Sequence, residues 1–347
     1  MEREELGAWL RLLMTPGVGP VHGRALLARF GLPPAIFKQD LHALGEVVPR
    51  ALALALRRPP PDWTRQWEAH WAWLQASPGH HAWSLGDVAY PPELLHLSDP
   101  PLLLFALGHE AALVHPLRVA VVGSRNPSPQ GLFNARQFGR SLGEAAACVV
   151  SGLALGVDGA AHEGALEAGA WTVAVVGTGL DRVYPSRHQA LARRIAEHGL
   201  ILSEHPLGTP PLAAHFPRRN RLIAALGQGT LVVEAALQSG SLITARLAAE
   251  LGREVFAIPG SIHAPHARGC HQLIRHGAKL VESAQDVLEE LRWEPPAGHS
   301  MAAGQAAAPM DDPDLLRALG HEPVDFETLL ARSGLDAAAL QAGLLDL

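Results

Sequence analysis

Seven short apolar runs punctuate the middle of this chain, and each closes on a glycine, a proline or an acid. They lie at 118–123 (RVAVVG), 148–152 (CVVSG), 171–177 (WTVAVVG), 200–204 (LILSE), 230–234 (TLVVE), 254–259 (EVFAIP) and 278–282 (AKLVE). Most are continuous and rich in Val or Ile, the pattern of strands buried on both faces of a parallel sheet. Helix-like stretches fill the gaps at 129–146, 156–169, 187–198, 218–226, 241–252 and 283–291. Such alternation needs right-handed crossovers. It predicts an α/β fold with a doubly wound, mostly parallel, Rossmann-like sheet.

The remaining sequence sets the domain plan. A length of 347 residues implies two or three domains. Residues 1–62 read as a small all-α domain, ended by the run RRPPP. Residues 63–110 read as a connector, 111–293 as the core, 294–313 as a flexible Ala/Gly/Pro linker and 314–347 as a short helical module. No apolar run approaches the roughly 20 residues that span a bilayer. The start, MEREELGAWL, carries acids where an export signal needs basic residues. Cys148 and Cys270 are the only cysteines, too few for a disulfide framework or a zinc quartet. A cytoplasmic location is expected.

A net charge of −6 first argues against a nucleic-acid partner. By segment it divides into −2 for 1–110, +3 for 111–293 and −7 for 294–347. Three windows of the core hold arginines and no acid. Between Glu110 and Glu144 stand Arg118, Arg125, Arg136 and Arg140; between Glu204 and Glu234, Arg218, Arg219 and Arg221; between Glu254 and Glu282, Arg268 and Arg275 with Lys279. Each window contains a strand-end loop, and in such sheets ligands sit beyond the carboxyl ends of the strands.

Those loops are rich in Gly, Ser and Thr: Gly123-Ser124-Arg125, Ser151-Gly152, Gly177-Thr178-Gly179 and Ser239-Gly240-Ser241 with Thr244. Small residues and free helix N-termini make an anion cradle; tight βα turns are the plainer account of any one loop. No G-x-G-x-x-G follows the first strand, and there is no P-loop. Zinc-hydrolase and nucleophile-elbow motifs are missing too. Glu234 is either a general base or, more simply, an acceptor that holds the 239–241 loop. Asp158 and His162 stand four apart and are expected to pair on one helix face.

In this order, GSR, SGLALGVDGAAH, GTGLDRVYP, FPRRNRLIAAL, EAALQSGSLITA, REVFAIPG and LIRHGA resemble the DNA-processing protein A (DprA/Smf) family over about residues 90–291. The resemblance implies an extended Rossmann core without an established catalytic activity. It implies a bacterial cytoplasmic recombination mediator that binds single-stranded DNA, forms a homodimer and helps load a RecA-type recombinase in natural transformation. No cofactor is implied. DNA-contacting residues carried over by motif are Gly123, Ser124 and Arg125; Ser151 and Gly152; Phe216, Arg219, Asn220 and Arg221; and Ser239, Gly240, Ser241 and Thr244. Arg187 stands in for a lysine that some members carry after Tyr-Pro. The family's G-x-N-x-L-I-R reads GCHQLIR here, with His271 the departure. The competing reading is a nucleotide-binding or nucleotide-hydrolysing Rossmann enzyme using the same cradle and Glu234.

The flanks add two expectations. Residues 10–31 hold two apolar runs around Pro16-Gly17-Val18-Gly19-Pro20, a helix-hairpin-helix whose turn offers N–H groups to a duplex phosphate, or a plain αα-hairpin. Residues 314–347 resemble the start of a winged-helix module. Trp63, Trp67 and Trp71 form a helical stripe that suits packing.

Overall fold

The computed structural model describes residues 1–294, 318–319 and 324–346. The expected linker, apart from Glu294, and the start of the terminal module lie outside the described residues. The helical N-terminus comprises α1 (Arg3–Met14), α2 (Pro20–Phe30), α3 (Pro33–Ile36), α4 (Leu41–Gly45), α5 (Arg50–Leu56) and α6 (Trp63–Gln75). Gly17 at φ +87° makes the α1–α2 turn that only glycine adopts freely. The tryptophan stripe packs α6 on α1: Trp67 donates from its indole N–H to the Arg3 carbonyl at 3.0 Å, and Trp63 and Trp67 stack.

Two strands follow that the apolar-run pattern did not reveal, β1 (His80–Ser84) and β2 (Leu103–Gly108). The seven expected runs then form β3 (Arg118–Val122), β4 (Cys148–Ser151), β5 (Thr172–Val176), β6 (Leu200–Ser203), β7 (Gly229–Val232), β8 (Glu254–Ala257) and β9 (Lys279–Leu280). Between and after them lie α7 (Pro129–Glu144), α8 (Val157–Glu167), α9 (Gln189–His198), α10 (His215–Leu226), α11 (Ser241–Glu250), α12 (Arg268–Arg275) and α13 (Ala284–Glu290). The helix α12 falls where no helix was expected.

The nine strands form one sheet in the order β1-β2-β6-β5-β4-β3-β7-β8-β9. Strands β3 to β9 pair in parallel, while β2 runs antiparallel to both β1 and β6. The chain winds outward from β3 through β6, then restarts beside β3 at β7. The carboxyl ends of β3 and β7 are therefore the topological switch point, the crevice where doubly wound sheets take ligands.

Residues in β3, β4, β5, β6 and β7 are buried throughout, which explains their continuous apolar runs. Val173 and Val175 join a core that includes α10 and α11, whereas Ala174 and Val176 face α9. Leu103 and Phe105 of β2 share a core with Leu10, Leu26, Ile36 and Leu52 of the N-terminal helices. Residues Met1–Ser300 form one compact unit and Met301–Leu347 a second. In the second unit, α14 (Phe326–Ser333) is capped by Asp325, whose carboxylate accepts from the Thr328 N–H at 2.8 Å. Leu329 of α14 and Leu340 of α15 (Ala337–Asp346) are its buried apolar pair. Among the described residues no helix is long and apolar enough to cross a membrane.

Candidate functional site

A cleft of about 470 Å³ opens at the β3–β7 switch point. Gly123, Ser124 and Arg125 line it from the loop after β3, and Arg219 and Asn220 line it from α10. The opposite wall is Ser239, Gly240, Ser241 and Thr244 at the head of α11. These nine expected residues converge from three separate stretches of chain. Asn126, Asp158 and Gln238 line it as well. Ser151, Gly152, Arg187, Phe216 and Arg221 do not.

Glu234 builds the first wall. Its carboxylate accepts from the Ser128 N–H at 2.9 Å and from the Ser128 hydroxyl at 2.5 Å, and its backbone carbonyl accepts from the Ser124 N–H at 2.7 Å. Ser128 also caps α7 by accepting from the Gly131 N–H at 2.9 Å. A Cβ at Gly131 would lie 2.2 Å from the Glu234 carboxyl carbon, so glycine is needed there. Glu234 was expected to hold the 239–241 loop, and this is corrected: it reaches sideways to the loop of its neighbour strand β3, because β3 and β7 end side by side. The 239–241 loop is held by its own Ser239 and Ser241 hydroxyls, 2.7 Å apart, and by Asn220, whose side-chain amide donates to the Gly240 carbonyl at 3.3 Å.

The floor is a buried polar layer. Asp158 accepts from the backbone N–H groups of Gly152 at 3.1 Å and Ala154 at 3.3 Å. Burial pushes its pKa up, against the opposing pull of Arg219. The expected Asp158–His162 pair does not form. Asp158 is taken by the backbone at the head of α8, and His162 Nδ1 lies 2.7 Å from the Thr172 hydroxyl on β5. Burial pushes the His162 pKa down to about 3, so the ring is neutral.

The arginines divide sharply. Arg219 is 3% exposed and donates to the Gly152 carbonyl at 2.5 Å and to the Val175 carbonyl. Desolvation lowers its pKa to about 10, so it stays cationic at neutral pH. Ser151 is fully buried and donates to the Val121 carbonyl at 2.6 Å. Ser151, Gly152 and Arg219 thus bind the strand ends to one another beneath the cleft. Arg221 is 6% exposed, paired with Glu204 at 2.6 Å and Asp99 at 3.1 Å. Its charge is spent inside the fold, contrary to the expected contact with phosphate. Its neighbour Arg218 is the exposed guanidinium of that motif, 3.7 Å from Glu204.

Arg125 is exposed, and its guanidinium carbon lies 5.3 Å from the centre of the Phe216 ring. The rings of Phe216 and Tyr184 are 5.5 Å apart. Arg187 is exposed on the turn Ser186–His188, and His188 ties that turn to the Leu153 carbonyl at 3.0 Å. Tyr184 escaped the sequence reading. An aromatic set between Val183 and Pro185 in a loop that follows a strand was the available signal. No cluster of three or more His, Cys, Asp or Glu among the described residues could hold a metal ion.

The family model of DNA recombination-mediator protein A matches residues 81–292, which include every residue of the cleft. The chain belongs to this family. The family's winged helix domain model matches residues 299–347, so the terminal module belongs to the same architecture. Among curated relatives, Protein Smf of Escherichia coli is 42% identical over 81% of this chain and 76% of its own length. DNA processing protein DprA of Streptococcus pneumoniae is 49% identical over 61% of this chain and 74% of its own. The X-ray structure of the Streptococcus pneumoniae protein superposes with a TM-score of 0.71 at 39% identity, covering 82% of this chain and 97% of that one. The Helicobacter pylori DNA processing protein A, whose structure concerns a unique single-stranded DNA binding mode, gives a TM-score of 0.56 at 33% identity over 61% of this chain and 96% of that one. The family and the extended Rossmann-like fold implied by the motif resemblance are thereby confirmed.

Proposed function

We propose that this chain is a non-catalytic single-stranded DNA-binding protein that protects incoming strands and helps load a RecA-type recombinase in natural transformation. The observation that carries the reading is the cleft itself. The Ser124 hydroxyl and the Ser239–Ser241 hydroxyls face each other across it, and the exposed Arg125 guanidinium sits over an aromatic ring at its rim. Hydroxyl donors and one cation suit a phosphate. An aromatic face suits any base, so sequence preference is weak.

Arg125→Ala tests this. In anisotropy titrations with a single strand of roughly 30–40 nucleotides, long enough for more than one site, it weakens binding at least tenfold and lowers the log–log salt slope by about 0.7. Wild-type affinity in that variant defeats the site assignment. Nucleotide turnover by the same preparation would defeat the non-catalytic reading and favour the nucleotide enzyme.

The proposed homodimer uses the sheet edge. Leu280 on the outer strand β9 is 45% exposed, and Leu273 and Ile274 of α12 are partly buried. Leu280→Arg is expected to give monomer mass by light scattering, and an unchanged dimer refutes this edge.

A further inference from the structure

The rim of the cleft continues past Phe216. Tyr184 lies against Phe216 at 5.5 Å with the rings inclined by 36°, and it remains 47% exposed. Its hydroxyl has no hydrogen-bond partner among the described residues. On another side Tyr184 helps line a hollow of about 110 Å³, together with Leu180, Val183, Ala192, Arg182 and Arg193. The wall is mainly aliphatic, with two arginines. Arg193 is exposed and has no carboxylate within ion-pair distance among the described residues.

We propose that Tyr184 and this hollow form a second nucleotide subsite, which takes a nucleobase of the single strand as it leaves the cleft, with Arg193 on the adjoining phosphate. The proposal rests on reading the cleft as a single-strand site. Three points support it. The order Arg125, Phe216, Tyr184 is a continuous cation-and-ring path from cleft to hollow. A large ring kept half in water, with its hydroxyl unpaired, is poised to stack rather than to pack. An aliphatic wall cannot satisfy a phosphate, which must then sit on the flanking guanidinium. A duplex keeps its bases paired and stacked, so the hollow selects for single strands.

The experiment is an anisotropy titration of the full chain with a fluorescent single strand of roughly 12–16 nucleotides, at several salt concentrations. Tyr184→Ala is expected to weaken binding about tenfold, the loss of one stacked base, and Tyr184→Phe to recover most of it because the ring is what stacks. Arg193→Ala, on an exposed helix face, is expected to lower the log–log salt slope by about 0.7. An unchanged slope for Arg193→Ala overturns the subsite even if Tyr184→Ala folds poorly. If Tyr184→Ala and Arg193→Ala both bind as wild type while Arg125→Ala binds weakly, the subsite fails and the cleft reading stands. If Arg125→Ala also binds as wild type, the cleft reading itself has failed.

Discussion

Several guanidinium groups in this protein are struts rather than ligands. Arg118 is 2% exposed, paired with Glu93, and donates to the Leu226 carbonyl at 2.9 Å. Arg219 joins the ends of β4 and β5, and Arg221 joins α10 to Glu204 and Asp99. Removing a buried guanidinium strands its partner carboxylate in a medium that cannot solvate it. Arg221→Ala is therefore expected to destabilise the fold by about 3–5 kcal/mol, read as a lowered guanidinium chloride midpoint. Arg125→Ala, at the surface, should shift that midpoint by no more than the equivalent of about 0.5 kcal/mol. The same substitution thus reports on stability at one position and on binding at the other. Both arginines were read alike in the sequence, because residue type and motif do not disclose burial.

At the scale of elements, the pair α7–α8 depends on backbone approach. A Cβ at Gly139 would lie 2.3 Å from the Ala161 carbonyl oxygen, and one at Gly164 would lie 2.0 Å from the Arg136 carbonyl oxygen. Neither oxygen can rotate away, so Gly139→Ala must push the helices apart. A cost of about 1–3 kcal/mol is expected from overpacking, measured by urea unfolding. Single-strand affinity should fall as well, since α7 carries the Ser128 cap that Glu234 holds. Five of the seven parallel strands, β3 to β7, were legible because burial on both faces leaves an uninterrupted apolar run. Strands β1 and β2 were not. The stretch PLLLFALG suits a strand or a buried helix equally, and only pairing with β6 decides between them. The short helix α12, with its charged Arg268 and Arg275, gave no apolar run to read.

For the whole molecule, charge and pH behaviour follow from folding rather than from the count. Two acid-free windows close in space: Arg118 pairs with Glu93, Arg136 with Glu167, Arg140 with Glu144 and Arg221 with Glu204. Arg125, at the cleft, has no carboxylate within ion-pair distance among the described residues, so its charge stays available there. Buried imidazoles contribute to a different property. His162 and His205 are both pushed down from 6.5 to about 3 by burial. Between those values the unfolded chain binds protons that the folded chain refuses. The contribution of these two rings to stability is therefore constant above about pH 6.5 and falls as pH drops toward 3, by about 1.4 kcal/mol per pH unit for each ring. His162→Gln removes one of these protons. Its unfolding free energy should fall less steeply between pH 6 and 4 than that of the wild type, by about that slope, in urea titrations at stepped pH. Parallel slopes would refute a neutral, buried His162.

The amino-acid sequence by itself determined the α/β class, the parallel core, the loops that meet at the switch point and the family. All of these rest on local signals: apolar period, small residues after strands, and motif order. Tertiary structure alone decided which arginines face solvent, where Glu234 points, and that Asp158 and His162 take separate partners. Those outcomes depend on which strand ends are neighbours. A carboxylate or a guanidinium finds its partner across the sheet rather than along the chain, and no spacing in the sequence encodes that distance.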